Sequence, residues 1–316
     1  MSFNLSKDTK IFVAGHKGLI GSSFIRFFKR NGYNNVIFRD RKELDLTSKI
    51  DTLNFFIEMK PEVVILAAGK VGGIIQNRDY PADFIFDNIS IQLNVLRSAY
   101  ELNVKKLIFF ASSCMYPKLT QQPMKESQLY TGQLEETSIA YASAKYAGME
   151  MCKSINQQNG FVSCIPVIPN SAYGPNDNFD LKSSHVLSAL IRRIHEAKEQ
   201  NSPEVILWGS GMPKREFVYV DDITNACMKV LCSNLSNDLL PINIGVENDI
   251  SIKALASKIC KIVNYSGAIE WDTSKPDGAP RKILDSSRVK GMGWESNTNL
   301  DEGLKLTYEW YLNSIV

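Results

Sequence analysis

The run Lys10-Ile11-Phe12-Val13-Ala14 is apolar on both faces. It breaks into the glycine-spaced turn Gly15-His16-Lys17-Gly18-Leu19-Ile20-Gly21 and continues as an amphipathic stretch from Leu19 to Arg30. Few folds accept that order. A short strand without alternation is one buried in a parallel sheet, and a parallel sheet needs a crossover, usually a helix, to return the chain to its starting edge. Three glycines at this spacing let the backbone turn sharply between strand and helix and approach a pyrophosphate lying on the helix N-terminus. Gly15, His16, Lys17, Gly18, Leu19, Ile20 and Gly21 therefore form a candidate dinucleotide cradle.

The alternation then repeats: Val36 to Phe38, a helix near Lys49 to Met59, Val63 to Ala67, a helix near Asp87 to Asn103, and the strand Lys106 to Phe110. This pattern predicts a doubly wound α/β sheet. Ligands bind such sheets outside the carboxyl ends of the strands, so the loops after Ala14, Phe38, Ala67 and Phe110 should frame one site. Past Pro166 a polar stretch, Pro169 to Ser184, suggests a binding loop and the start of a smaller α/β lobe sharing a cleft with the first. The expected division is 1–168 for the dinucleotide domain, with a return near 218–245, and 169–217 plus 246–316 for the smaller lobe. A length of 316 residues allows both at roughly 150 residues each.

Charge narrows the ligands. Thirty-six Lys+Arg against thirty-four Asp+Glu leave a formal +2, and no dense basic block occurs, so a nucleic-acid partner is not expected. No apolar run reaches the 18 or so residues of a membrane span, and MSFNLSKDTK lacks the apolar core of a signal peptide, which predicts a cytoplasmic protein with no membrane partner. Cys114, Cys152, Cys164, Cys227, Cys232 and Cys260 include no CxxC pair, so free thiols and no metal site are expected.

After the second strand, where an NAD enzyme places an acid for the ribose hydroxyls, the chain reads Arg39-Asp40-Arg41-Lys42. With Lys17, these cations suit the 2′-phosphate of NADPH/NADP, although Asp40 could still serve a ribose. Tyr141-Ala142-Ser143-Ala144-Lys145 places a phenol and an ammonium on one helix face at i, i+4. A fixed cation there would draw Tyr141 down from its ordinary value of about 10 towards working pH. Ser112 follows directly on the strand that ends at Phe110, at the carboxyl end, where its hydroxyl could bond a substrate carbonyl beside Tyr141.

A strand-end Ser followed by YxxxK, behind a GxxGxxG turn, resembles the extended short-chain dehydrogenase/reductase family. That resemblance implies a Rossmann-type domain, with Tyr141 as proton donor or acceptor, Lys145 tuning it and Ser112 holding the carbonyl. The strings Lys70-Val71-Gly72-Gly73-Ile74, Ser112-Ser113-Cys114-Met115-Tyr116-Pro117-Lys118, Tyr173-Gly174-Pro175-Asn176-Asp177-Asn178-Phe179, Ser184-His185-Val186, Trp208-Gly209-Ser210-Gly211 and Lys275-Pro276-Asp277-Gly278 narrow it to the GDP-L-fucose synthase branch, from about residue 10 to about residue 290.

This branch implies an NADPH-dependent enzyme, a homodimer in the family's manner, acting on a GDP-linked 4-keto-6-deoxy-mannose by epimerising C3 and C5 and reducing C4. A C4 ketone acidifies the protons on both neighbouring carbons, and the resemblance assigns the acid–base pair to Cys114 and His185. It also assigns Ala67, Ala68, Pro169, Ala172 and His185 to the cofactor, and Lys70, Arg193, Trp208, Arg215 and Asp277 to the substrate. One departure stands out. Pro169-Asn170-Ser171-Ala172-Tyr173 replaces the family's Pro-Thr-Asn-hydrophobic-Tyr, so a hydroxyl stands in place of an amide, and the expected consequence is a pocket for a modified sugar such as a GDP-4-keto-heptose, or a weakened epimerase step. The competing readings are an NAD-dependent epimerase or dehydratase that returns its hydride, and a non-catalytic NADP-binding protein.

Overall fold

The computed structural model describes residues 3–159, 163–233, 235, 240–275 and 277–315. Pro276 of the Lys275–Gly278 string lies outside them. In chain order the elements are β1 (Ile11–Ala14), α1 (Leu19–Arg30), β2 (Val36–Ile37), α2 (Lys49–Met59), β3 (Val63–Leu66), α3 (Ile74–Asp79), α4 (Pro81–Glu101), β4 (Lys106–Phe110), α5 (Ile139–Asn159), β5 (Cys164–Pro169) and β6 (Ser171–Tyr173). They continue with α6 (Val186–Glu199), β7 (Glu204–Trp208), β8 (Lys214–Tyr219), α7 (Val220–Cys232), β9 (Ile242–Ile244), β10 (Asp249–Ser251), α8 (Ile252–Val263), β11 (Ala268–Asp272), β12 (Arg281–Lys282), α9 (Ser287–Gly291) and α10 (Leu300–Ser314).

Six parallel strands form the main sheet in the order β2-β1-β3-β4-β5-β9. Every residue of β1 and β3 is buried, as an unbroken apolar run between two helical layers requires. One layer packs Phe12, Phe55, Phe56, Leu96 and Met149 together, and the other Phe24, Phe28, Ile108, Val167 and Val230. The chain leaves β1 and β2 on one side and β3 on the other, so the loops after β1 and β3 diverge and open a crevice at the sheet's carboxyl edge.

A second core gathers Tyr173, Leu190, Ile194, Leu207, Phe217, Leu255, Ile259 and Tyr308 beneath α6, α8 and α10. Beside it, β8 pairs with β6, β10 and β12, and β7 pairs in parallel with β11. The boundary differs from the sequence expectation in one respect. Leu284, Val289 and Trp294, placed in the smaller lobe by the expected 246–316 division, pack into the two cores of the larger sheet. The Asp222 carbonyl also accepts the Trp294 indole N–H at 3.1 Å, and no periodicity in a five-residue helix could have announced that long-range contact. Helix α4 begins at Pro81, six residues before the expected start, because Pro is well suited to the first turn, where no N–H partner is needed.

Candidate active site

Two of the three turn glycines are required by close approach. Gly15 has φ +83°, and a Cβ there would lie 2.8 Å from the Ala68 nitrogen and 2.9 Å from the Ala67 carbonyl. At Gly21 a Cβ would lie 2.1 Å from the Gly15 oxygen. Gly18, the N-cap of α1, is more open. The turn therefore sits against Ala67 and Ala68 at the end of β3, with Leu19 and Ile20 opening α1 over the carboxyl edge of β1. Without side chains at these two positions the turn folds tightly against β3 and back onto α1, which leaves the helix N-terminus as the place where backbone N–H groups could meet a pyrophosphate.

The basic turn after β2 is already internally paired. Lys17 Nζ lies 2.7 Å from Asp40 Oδ2 and His16 Nε2 lies 3.3 Å from Asp40 Oδ1, and the Lys17 bond holds the Asp40 carboxyl below its usual range. The His16 ring stacks on Phe38 at 4.7 Å. Arg39 donates to the Phe38 carbonyl at 2.8 Å and lies over the Phe55 ring. Arg41 and Lys42 are exposed. Of the cations expected to meet a 2′-phosphate, Lys17 is thus partnered by Asp40, Arg39 folds back along the chain, and Arg41 faces solvent.

At the end of β4 the chain makes a one-turn 3-10 helix over Ser113–Met115, capped by Ser112 Oγ, which accepts the Cys114 N–H at 3.2 Å. Helix α5 can come down on this strand end because residue 148 is glycine: a Cβ there would lie 2.4 Å from Phe109 Cζ. Close packing delivers Tyr141 and Lys145. Lys145 is 5% exposed, its Nζ donates to the Phe110 carbonyl at 2.8 Å, and burial lowers its pKa to about 8. Tyr141 is bonded to Ser112, with the Phe84 ring edge-on at 6.2 Å.

One electrostatic expectation is reversed here. Burial, reinforced by the nearby Cys114, pushes the Tyr141 phenol well above its ordinary value, and the Ser112 bond offsets this only in part. The Lys145 ammonium sits 5.7 Å from the Tyr141 ring centre and is committed to the Phe110 carbonyl. The phenol is therefore held protonated, which is the state a proton donor requires.

His185 is exposed at the N-cap of α6. Its loop is pinned to the one after β3 by the Gly73 N–H, which bonds the Ser183 carbonyl at 3.2 Å, and Asn77 steadies that partner loop by donating to the Gly72 and Gly73 carbonyls. Asp177 accepts the Ser188 hydroxyl at 2.6 Å; burial raises its carboxyl and the nearby His185 offsets part of that rise. Lys70 pairs with Asp83 at 3.0 Å and Asp87 at 3.4 Å, while Asn88 bonds the Lys70 backbone on both sides.

The remaining candidates gather on the second lobe. Trp208, at the end of β7, is 52% exposed, with the Arg193 guanidinium 5.7 Å and Lys275 Nζ 5.9 Å from its ring centre. Asp277 accepts both the backbone N–H and the hydroxyl of Ser210, at 2.9 and 2.6 Å. Arg215, whose charge burial disfavours, donates to the Ala279 carbonyl beside Asp277. Two cations over one indole, with an acid and a third cation close by, make a surface for an aromatic base carrying phosphates. Lys275 was missed as a candidate although its string was noted; a cation two residues before Asp277 was the available signal. Of the departure after β5, Pro169 and Ala172 are half-buried, whereas Asn170 is buried with its amide on Glu216 and its oxygen on the Ser171 N–H. That amide is structural, so the altered pocket expected of this segment can rest only on Ser171.

The sequence matches the model of the NAD dependent epimerase/dehydratase family over residues 11–245. It is 48% identical over 309 residues to GDP-L-fucose synthase 1 of Arabidopsis thaliana, covering 98% of this chain and 95% of that one. With GDP-L-fucose synthase of Escherichia coli K12 the identity is 44% over 312 residues, 96% of this chain and 97% of that one. The chain belongs to the GDP-L-fucose synthase branch of this family. Among solved structures, a GDP-D-glycero-L-gluco-heptose synthase from Campylobacter jejuni, determined in the presence of NADPH, superposes with a TM-score of 0.92 at 34% identity over 98% of this chain and 100% of that one. The heptose synthase therefore shares this fold along nearly the whole chain.

Proposed function

We propose that the protein is an NADPH-dependent reductase of C4 in a GDP-linked 4-keto sugar, which also epimerises C3 and C5. One observation carries the reading: Ser112, Cys114, Tyr141 and Lys145 converge at the carboxyl end of β4, in a branch whose members are named for GDP-sugars. Gly15, Gly18 and Gly21 with the first turn of α1 would hold the pyrophosphate, Ala67, Ala68, Pro169 and Ala172 would border the cofactor, and Arg41 with Lys17 would meet a 2′-phosphate. When bound, NADPH supplies a hydride. Ser112 orients the ketone oxygen, protonated Tyr141 donates to that oxygen as negative charge develops on it, and Lys145 steadies the phenolate left behind. Before reduction, Cys114 and His185 exchange the protons that the ketone acidifies. Arg193, Trp208, Lys275, Arg215 and Asp277 would hold the guanosine diphosphate.

Among the described residues no helix is long and apolar enough to cross a membrane, in keeping with a cytoplasmic enzyme. A homodimer through α4 and α5 would cover Phe86, Leu93 and Ile139, which are 69%, 42% and 50% exposed. Sedimentation should give twice the mass of one chain, and a monomer at micromolar concentration would reject that pairing.

The function is tested by offering NADPH with GDP-4-keto-6-deoxy-mannose and with GDP-4-keto-heptoses. At least one should be consumed mole for mole with the cofactor; no consumption with any of them would overturn the reading. In the same assay Arg41→Ala should raise KM for NADPH by about tenfold, the loss of roughly 1.4 kcal/mol, and leave KM for NADH unchanged. Equal effects on both would place the Lys17–Asp40 pair, and a ribose hydroxyl, at that end instead.

A further inference from the structure

The turn that carries Ser112 and Cys114 is gripped at both ends by α5. At its first end Ser112 bonds Tyr141. At its last end the Met115 carbonyl accepts the Tyr146 hydroxyl at 2.5 Å, and the same hydroxyl oxygen accepts the Tyr130 backbone N–H at 3.1 Å. A phenol has a single proton to give. With its oxygen receiving from Tyr130, that proton is directed at Met115, so the bond has a fixed sense. Tyr130 pays for this contact in backbone conformation: its φ of +66° lies in the left-handed region that bulky residues seldom enter, while its ring lies 4.5 Å from that of Tyr146. A strained residue held against a half-buried hydroxyl marks a position that the surrounding structure determines.

Resting on the proposed role of Cys114 in epimerisation, we infer that Tyr146 is a positioning residue for that thiol, acting through the Met115 carbonyl. Ser112 has independent anchors in the end of β4 and in Tyr141. On the Cys114 side, the buried Met115 side chain and the Met115 N–H on the Ser112 carbonyl at 3.1 Å anchor residue 115, and the Tyr146 hydroxyl is the side-chain hydrogen bond that orients the Met115 carbonyl and, with it, the turn that carries the thiol. Past the turn, buried Tyr116 bonds Asn243 at 2.7 Å and keeps the following segment in place. Removing the Tyr146 hydroxyl should therefore loosen the thiol and spare both the fold and the groups used for reduction.

Tyr146→Phe keeps the ring and its stacking and deletes only the hydroxyl. Two rates are read on the full-length enzyme: deuterium entry at C3 and C5 of GDP-4-keto-6-deoxy-mannose in deuterium oxide with NADP, and reduction of the already epimerised ketone with NADPH. Exchange should fall about tenfold or more, within the roughly 10²-fold that a displacement of about 1 Å can cost. Reduction should stay within about twofold, with sugar KM unchanged and the unfolding midpoint lowered by only the few degrees that a lost hydrogen bond costs. Equal loss of both rates, or exchange at the wild-type rate, would overturn the inference. Cys114→Ala in the same assay separates the two levels. If it exchanges fully, the thiol is not the base and the positioning role goes with it; if it is silent while Tyr146→Phe exchanges normally, only the positioning role fails.

Discussion

Tyr141→Phe lowers ketone reduction by about 10²- to 10⁴-fold, the range for loss of a positioned general acid, while NADPH affinity stays within about twofold. The two effects separate because in the proposed mechanism the hydroxyl would meet the reacting oxygen, whereas the ring alone packs against Phe84. Burial keeps the phenol protonated across the working range, so the acid limb of the rate should not come from Tyr141. The alkaline limb belongs to Lys145. Burial lowers its pKa to about 8, so its charge is complete below that value and is lost as pH rises through it. For the wild type kcat/KM, which reports the free enzyme, should accordingly decline above about pH 8. The sign for stability is opposite: from about pH 8 to the ordinary lysine value near 10.4, the folded chain binds fewer protons than the unfolded one, so folding gains as pH rises. A Tyr141→Phe enzyme that reduces at the normal rate would remove the phenol from the chemistry.

Cys114→Ser abolishes deuterium entry at C3 and C5, a loss of 10²-fold or more, while the already epimerised ketone is still reduced. A serine hydroxyl is far too weak an acid to be poised as a base near neutral pH, and thiols as a class ionise far more readily than alcohols. The serine fits the same volume at the turn, so loss of exchange with retained reduction cannot come from collapse of the site. His185→Asn should slow exchange as well, since inversion needs a group on each side of the ring. Label entering both carbons at the wild-type rate in Cys114→Ser would leave the thiol as a packing residue.

The part of this site legible in the sequence is the part built by local pattern. The unbroken apolar run of β1, the glycine spacing and the i, i+4 pair Tyr141–Lys145 each follow from a period or a turn. Their places at the sheet edge follow from the crossover rule. Long-range pairing was not legible. That Lys17 would bond Asp40, that Asn170 would turn inward to Glu216, and that Trp294 would pack beneath the large sheet depend on which distant side chain comes within reach. The direction of the Tyr141 shift was misread for a related reason. Spacing on a helix shows that the ammonium is near, but not that the Phe110 carbonyl claims it or that burial outweighs it. Tyr146 was invisible in the same way: only the fold brings it to the Met115 carbonyl.

The decisive measurement follows a single atom. NADPH carrying deuterium at its transferable position, incubated with the enzyme and a GDP-4-keto sugar, should yield oxidised cofactor and a product with one deuteron at C4. Product formed without label at C4, or turnover in which the cofactor ends as reduced as it began, would contradict a Tyr141-assisted reduction and place the chain among enzymes that borrow a hydride and return it.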